Sequence, residues 1–160
     1  MKPIDYLKLA AAIVGVELIG SIGAIFTMSA IPTWYAHLAR PSIAPPNWIF
    51  GPVWTLLFAL MGIAAFLVWR AGWKRRDVKV ALAIFFGQLA LHILWSVLFF
   101  GLHNPGAAFL ELVVLWLAIL ATIGAFFKIS KPAAALLLPY ILWVSFAGVL
   151  NAAFWALNGV

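Results

Sequence analysis

The chain has 160 residues, is 67% hydrophobic and only 9% charged, and carries a formal net charge of +6 with no cysteine. A soluble domain carries roughly 25% charged residues, and one of this size cannot hide such an apolar excess in its core, so lipid is the expected solvent. The missing cysteine removes disulfides, thiolate metal sites and thiol redox chemistry. Open sheets are excluded from a bilayer, and the apolar runs are too continuous for the alternating strands of a membrane barrel. The expectation is an all-α membrane protein, a single domain over 1–160 with five transmembrane helices in one bundle.

The first apolar segment covers about 7–31. Lys2 stands before it and Lys8 at its start, as in a cleaved leader, but the run is longer than a leader's core and contains Glu17, which favours a retained span. The break "PTWYAHLARPSIAPP" leads to the second segment, 47–69. "RAGWKRRD" separates that from 78–101, "LHNPG" predicts a tight turn before 106–127, and "KISKP" puts Pro132 at the start of 133–157. Short connections make consecutive helices antiparallel neighbours.

Five spans put the N-terminus and the second and fourth connections on one side. That side holds Lys2, Lys8, Arg70, Lys74, Arg75, Arg76, Lys79, Lys128 and Lys131, and the other holds Arg40. This asymmetry predicts a cytoplasmic N-terminus, with the C-terminus and the first loop non-cytoplasmic. The basic residues are therefore topological, and nucleic acid is not an expected partner. Trp69 and Trp73 fit an interfacial aromatic belt.

Polar groups at membrane depth need a partner or a role. They are Glu17, Gln88, His92, Glu111 and Asn151. Gln88, His92, Trp95 and Phe99 share one helical stripe. Trp143, Ala147, Leu150, Asn151 and Phe154 form another, and Phe50, Trp54, Phe58 and Met61 a third. The three stripes are expected to converge on one interior. Each amide or imidazole is equally readable as a helix cross-link, and small residues such as Ala11, Gly15, Gly20 and Ala24 suit close helix approach. Glu17 and Glu111 read either as a proton relay with His92 or as neutral hydrogen-bond donors. His92 is a candidate axial ligand for a haem iron, although His37 and His103 lie in connections and no multi-histidine metal site is visible.

The prolines of "RPSIAPP" exclude a helix and stiffen the loop. "NWIFGPVW" then opens the second span, with Pro52 where a missing N–H is tolerated. A rigid rim over a cavity walled by Trp54, suited to a flat apolar ligand, is the expectation.

"WYAHLARPSIAPPNWIFGPVWTLLFALMG" resembles the signature of the TspO/MBR family, the tryptophan-rich sensory proteins related to the mitochondrial translocator protein and peripheral benzodiazepine receptor. "QLALHILWSVLFFG", "FLELVVLWLAI" and "PYILWVSFAGVLN" follow in the family's order. The resemblance implies a five-helix fold, often dimeric, that binds porphyrins such as protoporphyrin IX and haem, and in some members sterols and benzodiazepine-type ligands. It implies a pocket of Tyr35, Pro45, Trp54, His92, Trp95, Trp143, Phe146, Ala147, Leu150 and Asn151. Gln88 joins them from its stripe. No obligatory cofactor is implied; porphyrin or haem is a ligand. Family members commonly carry Asn where this chain has His92 and Trp where it has Ile43. No Lys or Arg follows Tyr140, so the short sterol pattern is missing.

Three functions follow as expectations. The first is a receptor or carrier of tetrapyrroles and similar flat ligands, with Arg40 at the rim. The second is a light- and oxygen-dependent porphyrin-degrading enzyme that uses Trp54 and Trp143. The third is a proton-coupled transporter of small solutes or sterols that uses Glu17, His92 and Glu111.

Overall fold

The computed structural model describes residues 3–159. Lys2 of the basic set lies outside the described residues. Among the described residues, five helical segments are long and apolar enough to cross a membrane: Pro3–Ala30, Asn47–Arg70, Arg76–Gly101, Pro105–Phe127 and Lys131–Asn158. Their ends fall within four residues of the expected ones, and their interiors hold what hydropathy alone did not reveal.

The first span is two helices, α1 (Pro3–Gly20) and α2 (Ala24–Ala30), joined by a 3₁₀ turn at Ser21–Gly23. Glycines flank that turn, and the Ser21 hydroxyl donates to the Glu17 carbonyl at 2.6 Å. A hydroxyl bonded back one turn bends a helix. The second span, α3 (Phe50–Arg70), begins with a 3₁₀ turn at Asn47–Ile49. The third, α4 (Arg76–Ser96), loosens into a π-helical turn at Val97–Gly101, where the Leu102 amide reaches back to the Val97 carbonyl at 2.8 Å. His103 follows at φ 54°, a left-handed conformation uncommon outside glycine, and its ring stacks on Trp34 at 4.5 Å.

The fourth span, α5 (Pro105–Phe127), has Asn104 as its cap: Oδ1 accepts from the Ala107 amide at 2.9 Å, and Pro105 fills the first turn. Ser130 caps the fifth span in the same way. That span is a short α6 (Lys131–Ala135) followed by α7 (Leu138–Asn158).

Backbones pack closely between α1 and α3, α3 and α4, α4 and α5, and α5 and α7. Gly62 makes the first of these possible, since a Cβ there would lie 2.6 Å from the Ile13 Cα. Gly20 serves close approach as expected, because a Cβ would overlap the Phe58 ring; Gly15 faces open space instead. Antiparallel connections collect Lys8, Arg70, Lys74, Arg75, Arg76, Lys79, Lys128 and Lys131 at one end, where Lys8 Nζ lies 5.0 Å from the Trp69 ring. Arg40 lies in the loop at the opposite end.

Two apolar cores result. The larger, toward the basic end, includes Met61, Phe85, Leu89, Leu115, Phe126 and Tyr140. The smaller, toward the loop end, is built on Tyr35, Phe99, Ala108, Leu150 and Phe154. The loop is fastened over the smaller core. The Ala39 amide donates to Asn158 Oδ1 at 2.8 Å, and Asn158 Nδ2 donates to the Ala39 carbonyl at 3.2 Å. Arg40 donates to Asn47 Oδ1 at 2.9 Å and to the Pro45 carbonyl at 2.7 Å.

Candidate ligand cavity

Between the two cores lies a cavity of about 360 Å³, within the range of small-molecule sites. Four spans wall it. Trp54 and Phe58 come from α3, and His92, Trp95 and Phe99 from span three; Trp143, Ala147, Leu150 and Asn151 come from α7, and Tyr35 closes the loop end. The three predicted stripes do converge, because residues one helical turn apart face the same interior.

Aromatic rings set the geometry. Trp54 lies 4.5 Å from the His92 ring and stacks on Phe58 at 5.5 Å. Trp95 stacks on Phe99 at 5.5 Å, and Phe50 meets Trp143 edge-on at 5.9 Å. Tyr35 packs against Phe154 at 5.2 Å. Burial raises the Tyr35 phenol above its usual pKa, and nearby Arg40 partly offsets this.

Polar atoms on the wall fall into two sets. Asn151 is saturated: Oδ1 accepts from the Trp95 indole at 3.0 Å, and Nδ2 donates to the Pro105 carbonyl at 2.7 Å. His92 Nδ1 and Trp143 Nε1 are buried with no hydrogen-bond partner. An unmatched buried donor or acceptor costs about 1–3 kcal/mol, and both atoms are sealed within the packing behind the wall.

Of the expected pocket residues, Tyr35, Trp54, His92, Trp95, Trp143, Ala147, Leu150 and Asn151 line the cavity. Gln88, Pro45 and Phe146 do not. Gln88 sits one turn beyond His92, and its Oε1 accepts from the Tyr140 hydroxyl at 2.8 Å. Pro45 gives its carbonyl to Arg40. Phe146 supports Trp143 from outside the wall, at 5.4 Å between rings. Met61, last of its stripe, is buried in the larger core.

The two carboxylates part company. Glu17 lines the cavity. Glu111 is buried off the wall, and neither of its oxygens has a hydrogen-bond partner. Among the described residues no three metal-ligating side chains group together, so iron ligation would rest on His92 alone.

The sequence stripes did not include the first span in the cavity wall. Glu17, Gly20, Ser21, Ala24, Met28 and Ile31 all line the cavity. Spacings of three or four among them mark one helical face, but its small members Gly20 and Ala24 read as helix packing.

The TspO/MBR family model matches residues 11–156. The chain is 47% identical over 120 residues to the tryptophan-rich protein TspO of Archaeoglobus fulgidus, covering 74% of this chain and 76% of that one. It is 39% identical over 142 residues to the translocator protein of Bos taurus, covering 88% and 84%. Against protein CrtK of Rhodobacter capsulatus it is 38% identical over 139 residues, covering 87% and 85%. With its five apolar spans and an aromatic cavity between two cores, this chain is an integral membrane protein that belongs to the TspO/MBR family.

Proposed function

We propose that the protein is a membrane receptor or carrier that takes porphyrins and similar flat apolar ligands into the cavity between its two cores. The observation that carries this reading is the convergence of Trp54, Trp95 and Trp143 from three different spans on one cavity. Indole faces gain dispersion and stacking against a planar guest. His92 brings a polar imidazole to the wall, and with a haem it would be the candidate iron ligand. The N-terminus faces the cytoplasm, because the basic residues gather at that end.

Titration of the detergent-solubilised protein with protoporphyrin IX tests this. Saturable tryptophan quenching and a rise in apparent thermal stability are expected, because a ligand selective for the folded state stabilises it. Quenching that grows linearly without saturation, with no thermal shift, would be partitioning into the micelle and would defeat the reading.

A second reading, light-dependent porphyrin breakdown, draws support from Trp54 and Trp143 lining the same cavity. Illumination with bound porphyrin would then yield a new absorption band beyond free-porphyrin bleaching. No such band removes the enzyme.

A further inference from the structure

The cavity is not walled equally on all sides. Its lining residues from spans three and five are buried or half-buried, whereas Ser21, Met28, Gly51 and Thr55, all from spans one and two, are exposed. Glycine contacts explain the difference. Toward the basic end the first two spans are zipped together at Gly62 against Ile13 and at Gly20 against Phe58. Past the bend at Ser21–Gly23 the first span leaves that partner and leans on the third. A Cβ on Gly23 would lie 2.7 Å from the Ser96 hydroxyl, and one on Gly101 would lie 3.0 Å from the Phe26 ring. The backbone of α2 accordingly packs on α4 and the π-helical turn. A cleft opens between α2 and the first turns of α3. Ser21, Ala24 and Met28 form one lip, Gly51 and Thr55 the other, and Glu17 stands at the inner corner. Both lips lie inside the apolar spans, so the cleft faces acyl chains rather than water.

The watery side is closed. Loop 31–46 is held to the last helix through Ala39 and Asn158, and to the second span through Arg40 and Asn47. Leu38 and Ala44 pack onto the smaller core beneath it.

We propose that the ligand reaches the cavity sideways, out of the leaflet on the loop side, through the cleft between α2 and α3. The class of molecule that fits this route is an apolar amphiphile already dissolved in lipid and carrying at least one hydrogen-bonding group. Ser21, Thr55 and Glu17 give such a group a succession of partners on its way in, which a plain acyl chain would not use. The Ser21 hydroxyl proton is committed to the Glu17 carbonyl, so this side chain offers lone pairs to a donor. The route rests on the cavity's being the ligand site, and its test therefore uses a probe that is not a porphyrin.

The chain has no cysteine, so Ala147→Cys places a single thiol on the cavity wall. Purified protein in phosphatidylcholine vesicles is exposed either to N-pyrenylmaleimide dissolved in the bilayer or to a sulfonated, membrane-impermeant maleimide in the water. Labelling after unfolding defines completion. The apolar reagent is expected to label the thiol and the sulfonated one to fail. Adding Gly51→Phe or Thr55→Trp is expected to slow labelling by about an order of magnitude, because a gate on the path sets the observed rate. A Cβ on Gly51 meets no atom within 4 Å, so the added ring fills the cleft without displacing backbone. Val149→Phe, at an exposed site of span five that does not line the cavity, is expected to leave the rate unchanged. The route is overturned by equal rates in both cleft variants, by faster labelling from water, or by a thiol that the apolar reagent reaches only after unfolding. If the cleft variants block labelling while protoporphyrin fails to bind, the route stands and the porphyrin reading falls.

Discussion

Asn151 uses both halves of its amide inside the bundle, tying the indole of span three to the first carbonyl of span four. Asn151→Leu strands the Trp95 indole N–H and removes the second bond to the Pro105 carbonyl, and is expected to lower unfolding stability in detergent by about 1–3 kcal/mol; an unchanged unfolding curve would mean the amide ties nothing. Tyr140→Phe removes the hydroxyl held by Gln88. The expected loss is about 0.6 kcal/mol, at most about 1.7, with porphyrin affinity unaltered, because neither residue touches the cavity. A weaker affinity would place Gln88 back in the site. That Asn151 and Gln88 face the interior followed from helical phase. Which of them meets the cavity did not, since phase fixes the side of a helix and says nothing of the depth at which the space between helices closes. Gln88 shares its side with His92 but lies about 6 Å further along the axis, in the larger core. The Asn151 partner is a backbone carbonyl 46 positions away, and no periodicity announces such a pair.

At the scale of elements, the five spans were legible because a bilayer demands long apolar helices whose limits are punctuated by Pro, Gly and charge. The bend in the first span and the π-helical turn in the third were not, because both come from contacts made after folding. Gly23 against Ser96 and Gly101 against Phe26 draw these two segments together, and a hydropathy profile is blind to that. Gly62 and Gly124 separate the two meanings of a membrane glycine. Gly62→Ala pushes a methyl against the Ile13 backbone and is expected to destabilise by about 1–3 kcal/mol, as overpacking does. Gly124→Ala meets open space and is expected to leave stability level or higher. Equal gains at both positions would show that helix propensity, not packing, governs these sites. The loop has its own test. Asn158→Leu removes the clasp on Ala39, and faster hydrogen exchange at the Ala39 amide is the expected result; unchanged protection would assign the closure to Arg40 and Leu38 alone.

For the whole molecule, the division of labour follows from where the helices touch. The basic half is packed solid around Phe85, Phe126 and Tyr140. The loop half is held by the smaller core, and a cavity remains between the two. The most direct measurement is the dissociation constant of protoporphyrin IX for the wild-type chain, for the Trp54→Phe, Trp143→Phe pair, and for Trp48→Phe, an indole 72% exposed outside the cavity. Each lost indole face is worth about 0.5–1.5 kcal/mol, so the pair should weaken binding by at least about fivefold while Trp48→Phe binds as the wild type does. Equal affinity in all three chains would mean that the guest sits elsewhere.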